Sequence, residues 1–180
     1  LKAMSANQVT ALTSTNVAAL ATSQVSALTS SQVQALTTSA VGALSSSLVN
    51  AMTTVQVAAL TTGQVQSLST AAVNGISTTN VKALGSAQIA ALTTTAVSNL
   101  SSTQVAALTS KQVNALTTVS VAALSTDQVK ALSSTQVQGL TNAGLNALTT
   151  AQVAVLSTGQ VSSLTATQVA GLSTGTLQSL

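Results

Sequence analysis

The sequence predicts an all-α solenoid of short capped helices, one per octapeptide, on three observations. The chain is a single eight-residue repeat without insertion or deletion, nearly every unit opens with a helix-start signature, and the two apolar positions of the unit cannot stay on one face of a continuous helix.

Counting from Ser5, residues 5–180 divide into 22 octapeptides, such as TTVQVAAL (Thr53 to Leu60) and SSTQVAAL (Ser101 to Leu108), with residues 1–4 as a partial unit. The whole of 1–180 is therefore one continuous array, and its start inside a unit suggests a segment of a longer chain. Position 5 is Val except at Ile89, Leu145 and Leu177, and position 8 is Leu except at Met52 and Ile76. Such near-invariance in an otherwise variable unit identifies positions 5 and 8 as the core.

Position 1 is Ser or Thr except at Ala21 and Gly85, and position 4 is most often Gln, so the unit spells the S/T-x-x-Q capping box. In a capping box the position-1 hydroxyl accepts from the backbone N–H three residues on, and the Gln amide reaches back to the cap residue. Two donors that a helix start would leave orphaned are thereby satisfied. Positions 1, 4, 5 and 8 share one face. The five charged residues fall away from it, Lys111 and Asp127 at position 3 and Lys2, Lys82 and Lys130 at position 6.

Eight residues at about 100° each turn through about 800°, so a continuous helix would let the Val/Leu stripe drift by about 80° per unit. The helix must therefore break in every unit, with the next Ser or Thr both ending one helix and capping the following one. A three-sided β-solenoid is the alternative, because an even period preserves strand alternation and Val, Thr and low charge suit strands. Against it, positions 5 and 8 have opposite parity, and Ala, Leu and Gln favour helix.

A weaker period sits at position 4, where Leu48, Ala72, Ala96, Ser120 and Gly144 depart from Gln at intervals of 24 residues. Three units per superhelical turn would align these five along one side of a rod. Gln24 and Gln168 fall in the same column and break the pattern, which drift alone would also produce.

Composition removes most chemistry. The chain has no Glu, Arg, His, Cys, Trp, Tyr, Phe or Pro, and Asp127 is its single acidic side chain. One carboxylate cannot share acid and base roles, and the many hydroxyls have no base to activate them, so the chain is not expected to be an enzyme and no catalytic residue is assigned. Neither a metal site nor a cofactor site is assigned, since the usual ligand types are missing. Four dispersed lysines without aromatic partners argue against nucleic acid, and no apolar run approaches the roughly 18 residues of a membrane span.

Through the units LTTxQVxAL and LSTxQVxAL, the whole chain resembles the octapeptide arrays of very large bacterial secreted or surface proteins described as adhesin-like or haem-utilisation-like. The resemblance implies export to the bacterial surface or exterior and a structural or adhesive role, and it transfers no site residue. It gains no support for haem, because the only soft ligands are the thioethers of Met4 and Met52. The functional expectation is an extracellular rod, filament or stalk that associates with itself laterally or end to end, since 3% charged residues offer little repulsion. The alternative is an adhesive module whose Ser/Thr/Gln ladders bind a glycan, a surface or ice.

Overall fold

The structure is a computed structural model and describes residues 2–180. Among these it contains 22 α-helices, from α1 (Ala6–Thr10) to α22 (Thr174–Gln178), each of four to six residues and each occupying one octapeptide. No strand occurs among the described residues, so the β-solenoid alternative is set aside.

Each helix starts where the capping box places it. In α7 (Thr54–Ala59), Thr53 is extended (φ −73°, ψ 160°), its hydroxyl accepts from Gln56 N–H at 3.2 Å, and Thr53 N–H donates to Gln56 Oε1 at 2.8 Å. The exceptions at position 1 keep half of this arrangement: Ala21 and Gly85 lack a hydroxyl, yet their N–H groups still donate to Gln24 and Gln88.

The helix ends without glycine. Leu60 N–H closes a tight last turn on Val57 C=O at 3.2 Å, and Leu60 is itself extended (φ −57°, ψ 135°), followed by extended Thr61 (φ −72°, ψ 160°). Two consecutive extended residues make the corner, and no described residue has positive φ. Ordinary L-residues therefore suffice at every corner, and the left-handed glycine that ends many helices is not needed.

Three such corners close a turn, because helices in substantial contact are three apart in chain order. Thus α1 packs on α4 (Ser30–Ala35), and α6 (Ser46–Asn50) packs on α9 (Thr70–Gly75). The 24-residue spacing at position 4 is this turn: Leu48, Ala72, Ala96, Ser120 and Gly144 stand on five helices stacked successively along one side. The interior of the three-sided rod is filled by position 5, with Val33, Val57 and Val105 fully buried, and by the position-8 leucines. Burial fades at the two ends, where Met4, Leu12, Leu20, Leu156, Leu164 and Leu172 are only partly covered.

Position 7 sets how closely turns approach. At Gly75 a Cβ would fall 2.5 Å from Ser46 O and 2.6 Å from Ser46 Cα, so the backbone of α9 lies directly on that of α6. A hydrogen is all that fits there.

Candidate functional site

The chemically distinctive feature of the rod is repeated at its corners, and it is built on the position-4 glutamines. From Gln32 onward these side chains are as buried as the core, 2% exposed for Gln56, Gln64, Gln128 and Gln152. A buried amide has one acceptor and two donors to satisfy, and leaving them unpaired is costly.

Gln104 shows how all are used. Its Oε1 accepts from Ser101 N–H at 2.8 Å, completing its own cap. Its Nε2 donates across to the preceding turn, to Val73 O at 3.0 Å, Asn74 O at 3.3 Å and Ile76 O at 2.8 Å. Those carbonyls form the end of the helix four units earlier, where Val73 C=O also accepts from Ile76 N–H at 3.1 Å. One amide thus caps the start of its own helix and the end of a helix in the turn beneath it. The same pattern recurs at Gln56, Gln64, Gln88, Gln112, Gln128, Gln136, Gln152, Gln160 and Gln168. Only one amide orientation satisfies both neighbours, so the network itself fixes which end is oxygen.

Asparagine, one methylene shorter, cannot span both partners. Asn80 Nδ2 reaches Met52 O at 2.7 Å, but α10 (Thr78–Ala83) lacks the reciprocal bond to Ser77 N–H. Glutamate would span the distance but has no donor for the carbonyls. The capping half of this arrangement is legible in the octapeptide, whereas the donating half was not expected from it. A signal for it was present, since an S/T-x-x-E box is as good a cap and yet Glu never occurs in the chain.

Other surface features are spent inside the fold or are slight. Position-1 hydroxyls accept from position-4 N–H groups in every unit except those opened by Ala21 and Gly85. A shallow groove is lined by Ser110, Lys111, Asn114 and Asn142, but Ser110 donates to Thr135 O, Asn114 to Gly139 O and Asn142 to Thr167 O. Asp127 and Lys130 approach to 3.8 Å with both side chains more than half exposed, which contributes little. Met52 sits in the core and Met4 at its edge, each at position 8 in place of Leu. No group of three or more His, Cys, Asp or Glu that could hold a metal occurs among the described residues, and no helix among them is long and apolar enough to cross a membrane.

A family model, the ALTTAQ repeat, matches residues 57–94, 87–118, 115–142 and 142–174, which together cover more than half of the chain. No curated protein matches it.

Proposed function

This chain belongs to the ALTTAQ repeat family, and we propose that it is an extracellular structural repeat protein forming a rod, filament or stalk by self-association. The observation that carries the reading is the glutamine ladder. Each turn is bonded to the one before it through amides that most units regenerate, so the array extends in one dimension and its stability accumulates with length. Length is what such a chain supplies. Twenty-two helices at three per turn give just over seven turns, or roughly 60 to 70 Å at ordinary helix-packing distances.

The bacterial surface location rests on the resemblance of the octapeptides to arrays of large secreted proteins. Self-association is supported by the near absence of charge. The adhesive alternative draws less support, because the position-1 hydroxyls that a binding ladder would need are engaged in capping.

Small-angle scattering and negative-stain microscopy test the reading together. The expected result is a stiff particle of constant cross-section whose mass rises with protein concentration. A compact or flexible particle would refute the rod, and a monomer persisting at high concentration would refute self-association. Accessibility of the array to external protease on intact host cells checks the location.

A further inference from the structure

Through the middle of the chain the amide ladder holds two of the rod's three corners. The corners at which α7, α10, α13 (Ser102–Ala107), α16 (Thr126–Ala131) and α19 (Thr150–Val153) begin are joined to the corners beneath by Gln56, Asn80, Gln104, Gln128 and Gln152. The corners that start the next side are joined by Gln64, Gln88, Gln112, Gln136 and Gln160. Each of these amides donates to a position-8 carbonyl 28 residues earlier.

The third corner has no such rungs. It is where α9, α12 (Thr94–Ser98), α15 (Thr118–Ala122) and α18 (Asn142–Ala147) begin, and their position-4 residues are Ala72, Ala96, Ser120 and Gly144. The backbone groups that an amide joins elsewhere stay apart. Among the described residues, the N–H groups of Ser69, Thr93, Thr117 and Thr141 have no acceptor, and the carbonyls of Leu44, Leu68, Leu92 and Leu116 have no donor. Ser120 spends its hydroxyl locally, accepting from Thr117 Oγ1 at 2.9 Å. The ladder resumes at Gln168, which donates to Leu140 O at 2.8 Å, so the run without rungs lies inside the array.

The consequence is directional. Tilting one turn against the next at a laddered corner pulls an amide off its carbonyls and leaves buried polar groups unpaired, which is costly. The same tilt at the third corner breaks no hydrogen bond, and it lets water reach N–H and C=O groups that have no partner in the closed form. Apolar contact alone holds that corner shut, through buried side chains such as Leu48, Ala72 and Ala96.

We propose that this corner is a seam along which the rod gives. From α6 to α18 successive turns open there, and the opposite side, which carries α7, α10, α13 and α16, is the hinge. The rod keeps its length and cross-section and yields in one direction only, as a stalk under lateral load would need. The seam is a property of the single rod and does not rest on self-association.

The chain has no cysteine, so spin labels can be placed at chosen sites. Ala71→Cys with Ala143→Cys spans three turns beside the seam, and Thr79→Cys with Ala151→Cys spans three turns beside a laddered corner. All four side chains are exposed. Three turns measure about 24 to 30 Å at ordinary helix-packing distances, a span that pulsed dipolar spectroscopy reads. The seam pair should give the longer mean distance and the broader distribution. Ala96→Gln, Ser120→Gln and Gly144→Gln together supply the three rungs between those labels. In that variant the seam distribution should narrow to match the laddered pair, and the melting temperature should rise.

Equal distributions for the two pairs without the added glutamines would overturn the seam. So would a triple variant that melts higher but leaves the seam distribution unchanged. If the triple variant melts lower, Ala96→Gln alone decides, because a loss of stability there too would mean that the turns already lie too close to admit an amide, and the seam would fall. Distances outside the three-turn range for both pairs would refute the stacked rod itself, which separates that failure from failure of the seam.

Discussion

Replacing Gln104 by Glu separates the two jobs of the ladder, because it changes one NH2 group to oxygen in a side chain that is 4% exposed. The bond from Ser101 N–H survives. The bonds to Val73 O and Ile76 O, at 3.0 and 2.8 Å, are replaced by a carboxylate oxygen facing two carbonyls. Burial and those carbonyls both disfavour the charged form, so the carboxyl titrates above its ordinary value of about 4.3. Protonated, it recovers one donor of two, and the variant then costs about 1 kcal/mol. Ionised, it becomes a buried charge with no opposite partner, and the total cost near pH 7 rises to about 3 to 5 kcal/mol. A carboxyl raised in the folded state contributes its stability below the unfolded value and loses it as pH rises through the folded one. The cost should therefore grow as pH climbs above about 4 and level off once the folded protein has also lost the proton. Background titration is small, since Asp127 is the sole acidic side chain of the natural sequence. Urea unfolding followed by circular dichroism at 222 nm, at pH 3, 5 and 7, reads it directly. An equal loss at all three pH values would refute the ladder as the reason for Gln, as would wild-type stability at pH 7.

Single positions and the stacking of turns can be probed separately. Thr53→Ala removes the oxygen that accepts Gln56 N–H and should cost about 1 kcal/mol, whereas exposed Thr54→Ala should be nearly neutral; equal costs in denaturant would contradict the cap assignment. Gly75→Ala drives a Cβ into the Ser46 backbone and should destabilise by about 1 to 3 kcal/mol. Gly144→Ala should instead stabilise by about 1 kcal/mol. Its Cβ would lie 3.3 Å from Thr141 Oγ1, and the equivalent Ala40, Ala72 and Ala96 already accommodate that contact with cap bonds of 3.1 Å. Both glycine variants are scored by thermal melting, and the same sign for the two would refute the packing described. Finally, arrays of three, six, twelve and 22 units should melt at temperatures that rise and then plateau, since three units make a single turn with nothing to stack on; identical melting would argue against coupling between turns.

What is local to eight residues can be read from the repeat unit alone. The hydroxyl of Thr53 and the amide oxygen of Gln56 meet groups three positions away, so the helix start is legible wherever Ser or Thr precedes Gln by three. The break after each Leu follows from the mismatch between a period of eight and 3.6 residues per turn. Val57 and Leu60 declare themselves as core by recurring at fixed places. Three units per turn was legible only faintly, through the column containing Ala72 and Ala96, because most positions tolerate any column. The remaining features arise only once the turns stack. The carbonyls that receive Gln104 Nε2 lie 28 to 31 residues back, beyond the reach of a local pattern, and they come within hydrogen-bond distance only after the chain has closed a three-sided turn. Nor could the unit reveal that Leu60 and Thr61 would share the corner as two extended residues, or that Gly75 would lie on the backbone of Ser46. Those features depend on the distance between stacked turns, which is set by the side chains of two units 24 residues apart acting together.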